Sequence, residues 1–206
     1  MKKECTGVIL AGGKNSRLPG KKKGLRKIGG SMIIDRIYKT LESVVDEIII
    51  VTNDPVEFSR WDALIVSDIH PSRCALAGVH AGIYYASCDK VFITACDTPF
   101  IKKDVVEYII SCSDSKHDVI IPEGEGGLEA LLSVYSKACL PLIEKNLKAD
   151  LYMIKKFYPK NRVKQIPLEK LKEIDPLMES FFNINTPTDI ARANIMIKKE
   201  SYDEYK

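Results

Sequence analysis

The chain has 206 residues, 45% of them apolar and 29% charged, and a formal net charge of +3. This is the composition of a globular protein with one substantial core, and so small a net charge gives no case for nucleic acid or an anionic membrane surface as partner. No apolar run has the length of a membrane span, and Met1-Lys2-Lys3-Glu4 leads directly into a strand, so a cytoplasmic protein is expected.

The first organised stretch is the apolar run Val8-Ile9-Leu10-Ala11, ended by Gly12-Gly13 and followed by Ser16, Arg17, Gly20 and Lys23-Gly24-Leu25. A strand that opens into paired glycines and basic side chains is suited to an anion, because glycine lets backbone N–H groups approach it closely. The spacing matches neither the dinucleotide fingerprint nor the P-loop. A solvated basic turn is the competing reading.

Ile28-Gly29-Gly30-Ser31 then reads as a turn, with Ser31 a candidate N-cap for a helix over about 32–43 that turns Ile33, Ile34, Ile37, Tyr38 and Leu41 inward. The β-branched run 47–53 has the pattern of a strand buried on both faces and stops at Asn53-Asp54-Pro55. A second strand over 63–68 ends on Asp68. A loop through Pro71 leads to Ala75-Leu76-Ala77-Gly78 and a helix to about 87. The next strand, over 90–97, again closes on an acid, Asp97, before Thr98-Pro99.

An amphipathic helix over 102–112 follows, with Val105, Val106, Ile109 and Ile110 inward. Strands over 118–122 and 129–136 flank the glycine-rich loop 123–127, helices are expected over 137–146 and 150–157, and a strand over 163–166. Phe181-Phe182-Asn183-Ile184-Asn185 reads as a strand end before Thr186-Pro187-Thr188-Asp189, which combines an N-cap, a proline at the first helical position and an acid three residues after the cap. The last helix is expected to fray over 199–206.

Alternating strands and helices predict one α/β domain over 1–206, a three-layer α/β/α sandwich around a mostly parallel, Rossmann-like sheet. Ligands of such sheets lie beyond the carboxyl ends of the strands, at a switch in strand order. Gly12-Gly13, Asn53, Asp68 and Asp97 all stand at ends of that kind. Basic glycine loop and carboxylates together suit a nucleoside triphosphate, with Lys23 on phosphates and Asp97 on Mg²⁺, which takes few protein ligands.

Each of these residues also has a plainer reading: Asp97 as a turn residue, Asp68 and Glu129 as solvated acids, Asn53 as a turn former, Asn183 and Asn185 as part of a capped helix start. The six cysteines are scattered without a C-x-x-C pair and the three histidines are far apart, so zinc is disfavoured and free, mostly buried thiols are expected.

Leu10-Ala11-Gly12-Gly13-x-x-Ser16-Arg17-Leu18, Lys23-Gly24-Leu25, Ala75-Leu76-Ala77-Gly78, Cys96-Asp97-Thr98-Pro99 and Asn183-Ile184-Asn185-Thr186-Pro187 resemble the motifs of the molybdenum cofactor guanylyltransferases, in order, from about residue 6 to 195. The resemblance implies a nucleotidyltransferase fold and transfer of GMP from Mg·GTP to molybdenum-molybdopterin, with release of pyrophosphate. The implied partners are GTP, molybdenum-molybdopterin and molybdoenzyme or cofactor-carrier proteins.

Carried over by position, Lys23, Arg17 and Asp97 are catalytic, and Leu10, Ala11, Gly12, Gly13, Lys23, Asn53, Asp68 and Asp97 bind the nucleotide. Glu129, Asn183 and Asn185 lie on the acceptor side, and Asp97 holds Mg²⁺. Pro19, Lys22, Cys74 and Ala130 depart from the usual pattern while the glycines, Lys23 and Asp97 are retained. The alternatives are a cytidylyltransferase acting on the same pterin, a sugar-phosphate nucleotidyltransferase, or a non-catalytic nucleotide-binding partner for cofactor insertion.

Overall fold

The computed structural model describes residues 3–12 and 22–203. In chain order its elements are β1 (Lys3–Leu10), β2 (Lys27–Ile28), β3 (Ser31–Met32), α1 (Ile33–Glu42), β4 (Val45–Val51), β5 (Leu64–Val66), α2 (Ala75–Tyr85), β6 (Lys90–Ala95), α3 (Lys103–Ser111) and β7 (Val119–Gly124). They continue with β8 (Gly127–Leu128), β9 (Leu132–Ser136), α4 (Leu140–Lys148), β10 (Val163–Ile166), α5 (Leu168–Ile174) and α6 (Pro187–Asp203).

The main sheet has the order β10-β7-β9-β6-β1-β4-β5, with β8 paired to β7. β1 lies parallel to both β4 and β6, β4 to β5, and β7 to β10, whereas β9 is antiparallel to β6 and β7. The expected three-layer, mostly parallel sandwich is therefore present. Strand residues alternate between two cores, as the two-residue period of a strand requires. Ile9, Ile50 and Phe92 pack with α1, α3, α5 and α6, whereas Val8, Val51 and Ile93 pack with α2 and α4.

The chain runs outward from β1 through α1 to β4 and β5, then returns through α2 to β6 on the other side of β1. That reversal of direction opens a crevice at the carboxyl end of β1. Main-chain bonds continue past the strand ends, from Ala11 N–H to Val51 O at 2.8 Å, Cys96 N–H to Leu10 O at 3.1 Å and Thr52 N–H to Val66 O at 2.8 Å. Gly12, Asn53, Asp68 and Asp97 thus leave the sheet side by side.

Several local expectations change. Ser31 does not cap α1: it pairs with Ile28 across the Gly29-Gly30 turn, whose two glycines both have positive φ. The helix start is held instead by Met32 N–H donating to Asp35 Oδ2 at 3.0 Å. No α-helix covers 150–157, where only a 3₁₀ turn, Ile154–Lys156, forms. Asp150 adopts φ 56°, and the bonds from Asp150 N–H to Leu147 O and Leu151 N–H to Asn146 O close α4 in a Schellman motif.

Residues 129–131 precede the strand they were assigned to, because β9 starts at Leu132. Phe181 to Asn185 form no strand; Ile184 N–H makes a single main-chain bond to Asp97 O at 2.9 Å. α5, unforeseen, is short and buries only Leu171 fully. The capping box at α6 is as expected, with Thr186 Oγ1 accepting from Asp189 N–H and Asp189 Oδ2 accepting from the N–H groups of Asn185 and Thr186.

The packing of α2 on β1 is set by Gly82, where a Cβ would come within 2.6 Å of Val8 Cγ1. Val8 is β-branched and fully buried, so it cannot rotate aside. Gly82→Ala is expected to lower the unfolding free energy by about 1–3 kcal/mol through overpacking, measured by urea denaturation. Val8→Ala in the same chain should recover part of the loss.

Candidate active site

The crevice holds a cavity of about 310 Å³ lined by Leu10, Ala11, Gly12, Lys23, Asn53, Asp68 and Asp97, all expected there. Gly13 and Arg17 lie outside the described residues. A second hollow of about 240 Å³ is lined by Glu129, Asn183 and Asn185, and the two share Ala95, Asp97 and Leu131. The residues assigned to nucleotide and to acceptor therefore fall on opposite sides of Asp97.

At the centre, Lys23 Nζ donates to Asp97 Oδ2 at 3.0 Å and to Asn185 Oδ1 at 2.6 Å. The Lys23 and Asp97 side chains are only 22% and 17% exposed, so the pair is partly shielded from water and feels a stronger field than a surface ion pair. The other carboxylate oxygen, Asp97 Oδ1, is buried and has no hydrogen-bond partner among the described residues. A buried carboxylate oxygen left bare is costly unless a cation or donor completes it. Among the described residues no group of three or more His, Cys, Asp or Glu side chains converges on a metal position. A single carboxylate oxygen can hold a divalent cation only where phosphate and water supply the remaining ligands.

The turn carrying Asp97 is braced from below: Thr98 Oγ1 donates to Ala95 O at 3.0 Å and lies 3.1 Å from Thr94 Oγ1. Across the crevice Asn53 Nδ2 donates to Asp68 Oδ2 at 2.8 Å, joining the ends of β4 and β5. Lys22 also reaches the cavity, but it pairs with Asp54 and Glu57, which neutralise it. Arg73 lines the cavity too, beside the start of α2; nothing in its local sequence beyond its place before Cys74-Ala75-Leu76 signalled this.

Glu129 arrives by the reversal of β9. Because that strand is antiparallel, its beginning lies level with the end of β6, where Leu132 pairs with Thr94. The Glu129 carboxylate fills space a Cβ on Gly124 would occupy, 2.6 Å from Oε1. Burial raises its pKa above the usual carboxylate value, with Lys155 pulling the other way. Asn183 lines the second hollow, and its Nδ2 donates to Phe181 O at 3.2 Å.

No thiolate is available as a nucleophile beside Asp97, since burial pushes the Cys96 thiol up to about 12. All six cysteines are free, three of them buried and three partly exposed. His70 is a loop residue accepting from Ser72 N–H, and His80 lies between α2 and α4, where Nε2 is 3.4 Å from Glu144 Oε1.

Residues 7–162 match the family model described as a MobA-like NTP transferase domain. The molybdenum cofactor guanylyltransferase of Desulfosudis oleivorans is 41% identical over 94% of this chain and 96% of its own length. The chain belongs to the molybdenum cofactor guanylyltransferase family. It is a nucleotidyltransferase.

The crystal structure of molybdopterin-guanine dinucleotide biosynthesis protein A from Archaeoglobus fulgidus is similar with a TM-score of 0.83, at 27% identity over 94% of this chain and 99% of that one. A 4-diphosphocytidyl-2C-methyl-D-erythritol synthase from Anaerococcus prevotii shares the fold, with a TM-score of 0.69 at 17% identity, covering 94% of this chain and 96% of that one. No helix among the described residues is long and apolar enough to cross a membrane.

The wall of the second hollow at Ser180 and Phe181 is tied down by a buried network. Lys102 Nζ donates to Asp175 Oδ1 at 2.7 Å and pairs with Glu179 at 2.8 Å, while Ser180 N–H donates to Asp175 Oδ2 at 2.8 Å. Burial alone would raise the pKa of Asp175, but the bonds from Lys102 and Ser180 outweigh it and hold the pKa below the ordinary 3.8. The contribution of Asp175 to stability is then complete above that value and is lost as pH falls through the depressed folded one. Urea midpoints of the wild type should drop between about pH 5 and pH 2, and Asp175→Asn should start lower and drop less.

Proposed function

We propose that the protein transfers GMP from Mg·GTP to the terminal phosphate of molybdenum-molybdopterin, forming the guanine dinucleotide and releasing pyrophosphate. The observation that carries this reading is Asp97. It lines both hollows, with Lys23 on one oxygen and the other oxygen without a partner among the described residues. The names of the relatives supply the guanine and pterin chemistry.

In this reading the nucleotide lies against Leu10, Ala11 and Gly12, with Asn53 and Asp68 at its other end. Lys23, joined by Arg17 and Gly13, holds the phosphates. Mg²⁺, held by Asp97 Oδ1, would neutralise charge on the phosphate oxygens. Glu129, Asn183 and Asn185 orient the acceptor so that one oxygen of its terminal phosphate is in line with the α-phosphorus. That oxygen forms the new P–O bond as the bond to the β-phosphate bridging oxygen breaks, and pyrophosphate carries away the electron pair. No covalent enzyme intermediate is needed, because positioning and charge neutralisation carry the rate. Cytoplasmic location and transfer of the product to a molybdoenzyme or carrier protein complete the proposal.

Purified protein with Mg²⁺ and molybdenum-molybdopterin is expected to release pyrophosphate from GTP in preference to CTP, ATP and UTP. A CTP preference would move the assignment to the cytidylyl reaction. Asp97→Asn should lower turnover by at least about 10²-fold while the urea midpoint stays near the wild type, and retained turnover would remove the metal role from Asp97.

A further inference from the structure

We infer that Asn185 is a positioning residue for Lys23, so that the segment lining the acceptor hollow also sets the phosphate-binding lysine. The inference rests on the reading of Lys23 as a triphosphate ligand. An ammonium group on a flexible four-carbon stem has three donors and no geometric preference of its own. Here two of those donors are committed: one goes to Asp97 Oδ2 at 3.0 Å and one to Asn185 Oδ1 at 2.6 Å. Among the described residues the third meets no acceptor, and it is the donor for a ligand in the cavity that Lys23 lines.

Asn185 is itself held on three sides. Its N–H donates to Asp189 Oδ2 at 2.9 Å inside the capping box of α6. The residue before it is bound to the main chain of Asp97 through Ile184 N–H at 2.9 Å, and the residue after it, Thr186, donates its N–H to the same Asp189 oxygen at 2.7 Å. The backbone that carries the amide is therefore fixed, and its oxygen meets a lysine 162 residues away in sequence.

The chemistry of the side chain is suited to this double position. Lysine only donates, so the amide presents Oδ1 to it, and the Nδ2 donors are left for the second hollow, which Asn185 also lines. A carboxylate in the same place would hold Lys23 as well but would put a second anion beside a triphosphate. The neutral amide orients the cation without cancelling its charge. A ligand that engages Nδ2 would also bias Oδ1 toward Lys23, which links occupancy of the two hollows.

The test is a double-mutant cycle read by calorimetric binding of α,β-methylene GTP with Mg²⁺ in the absence of any acceptor. Asn185→Ala is expected to weaken binding by about tenfold, Lys23→Ala to weaken it at least as much, and the double variant to bind no worse than Lys23→Ala alone. An unchanged affinity in Asn185→Ala would overturn the inference and leave Asn185 a contact of the acceptor only. Losses that multiply in the double variant would also overturn it, since general damage to the fold is independent of Lys23. An unchanged affinity in Lys23→Ala would instead remove the phosphate role of Lys23 on which the inference stands.

Discussion

β1 is hydrogen-bonded along both edges, to β4 on one side and β6 on the other, in parallel registers that run to the last residue of the strand. The ladders even continue one residue further, through Ala11 and Cys96. Three strand ends are thereby held level, and the rest of the site depends on this. A displaced register would move Asp97 away from Gly12 and Lys23 and leave the carboxylate facing another layer, because side chains alternate faces with a period of two. The inner glycine of α2, packed on Val8, keeps the helix close enough for its first turn to wall the same cavity.

Around those level ends the two neighbouring lysines are partnered differently. Lys22, next to Lys23 in sequence, is neutralised by Asp54 and Glu57 and lies over the Phe58 ring, whereas Lys23 is turned to Asp97 and Asn185. Among the described residues Asp97 Oδ1 is buried without a partner, so negative charge at the centre is left uncompensated on that side. Partial burial strengthens these interactions.

Much of this was legible along the chain because it is local. The apolar runs of β1, β4 and β6, the inward stripes of α1 and α3, and the proline-acid start of α6 each follow from side-chain periodicity or capping chemistry within a few residues. Legibility failed where a neighbour in space decided the conformation. Residues 150–157 have apolar content enough for a helix, but the left-handed Asp150 ends α4 and leaves Leu151 and Met153 exposed. α5 escaped notice because its one fully buried residue, Leu171, gives almost no pattern.

The sequence by itself determined the fold class and which glycines, lysines and acids stand at strand ends, because those properties depend on composition and spacing over short stretches; the family entered as a resemblance of its motifs. Only the tertiary structure decided how they meet. The antiparallel course of β9 brings Glu129 to the ligand edge, and the bond from Ile184 to Asp97 carries Asn185 onto Lys23. Neither is encoded in any short window, since strand direction and the docking of a distant segment are settled by the packing of the whole core and by the need to satisfy main-chain groups at its edge.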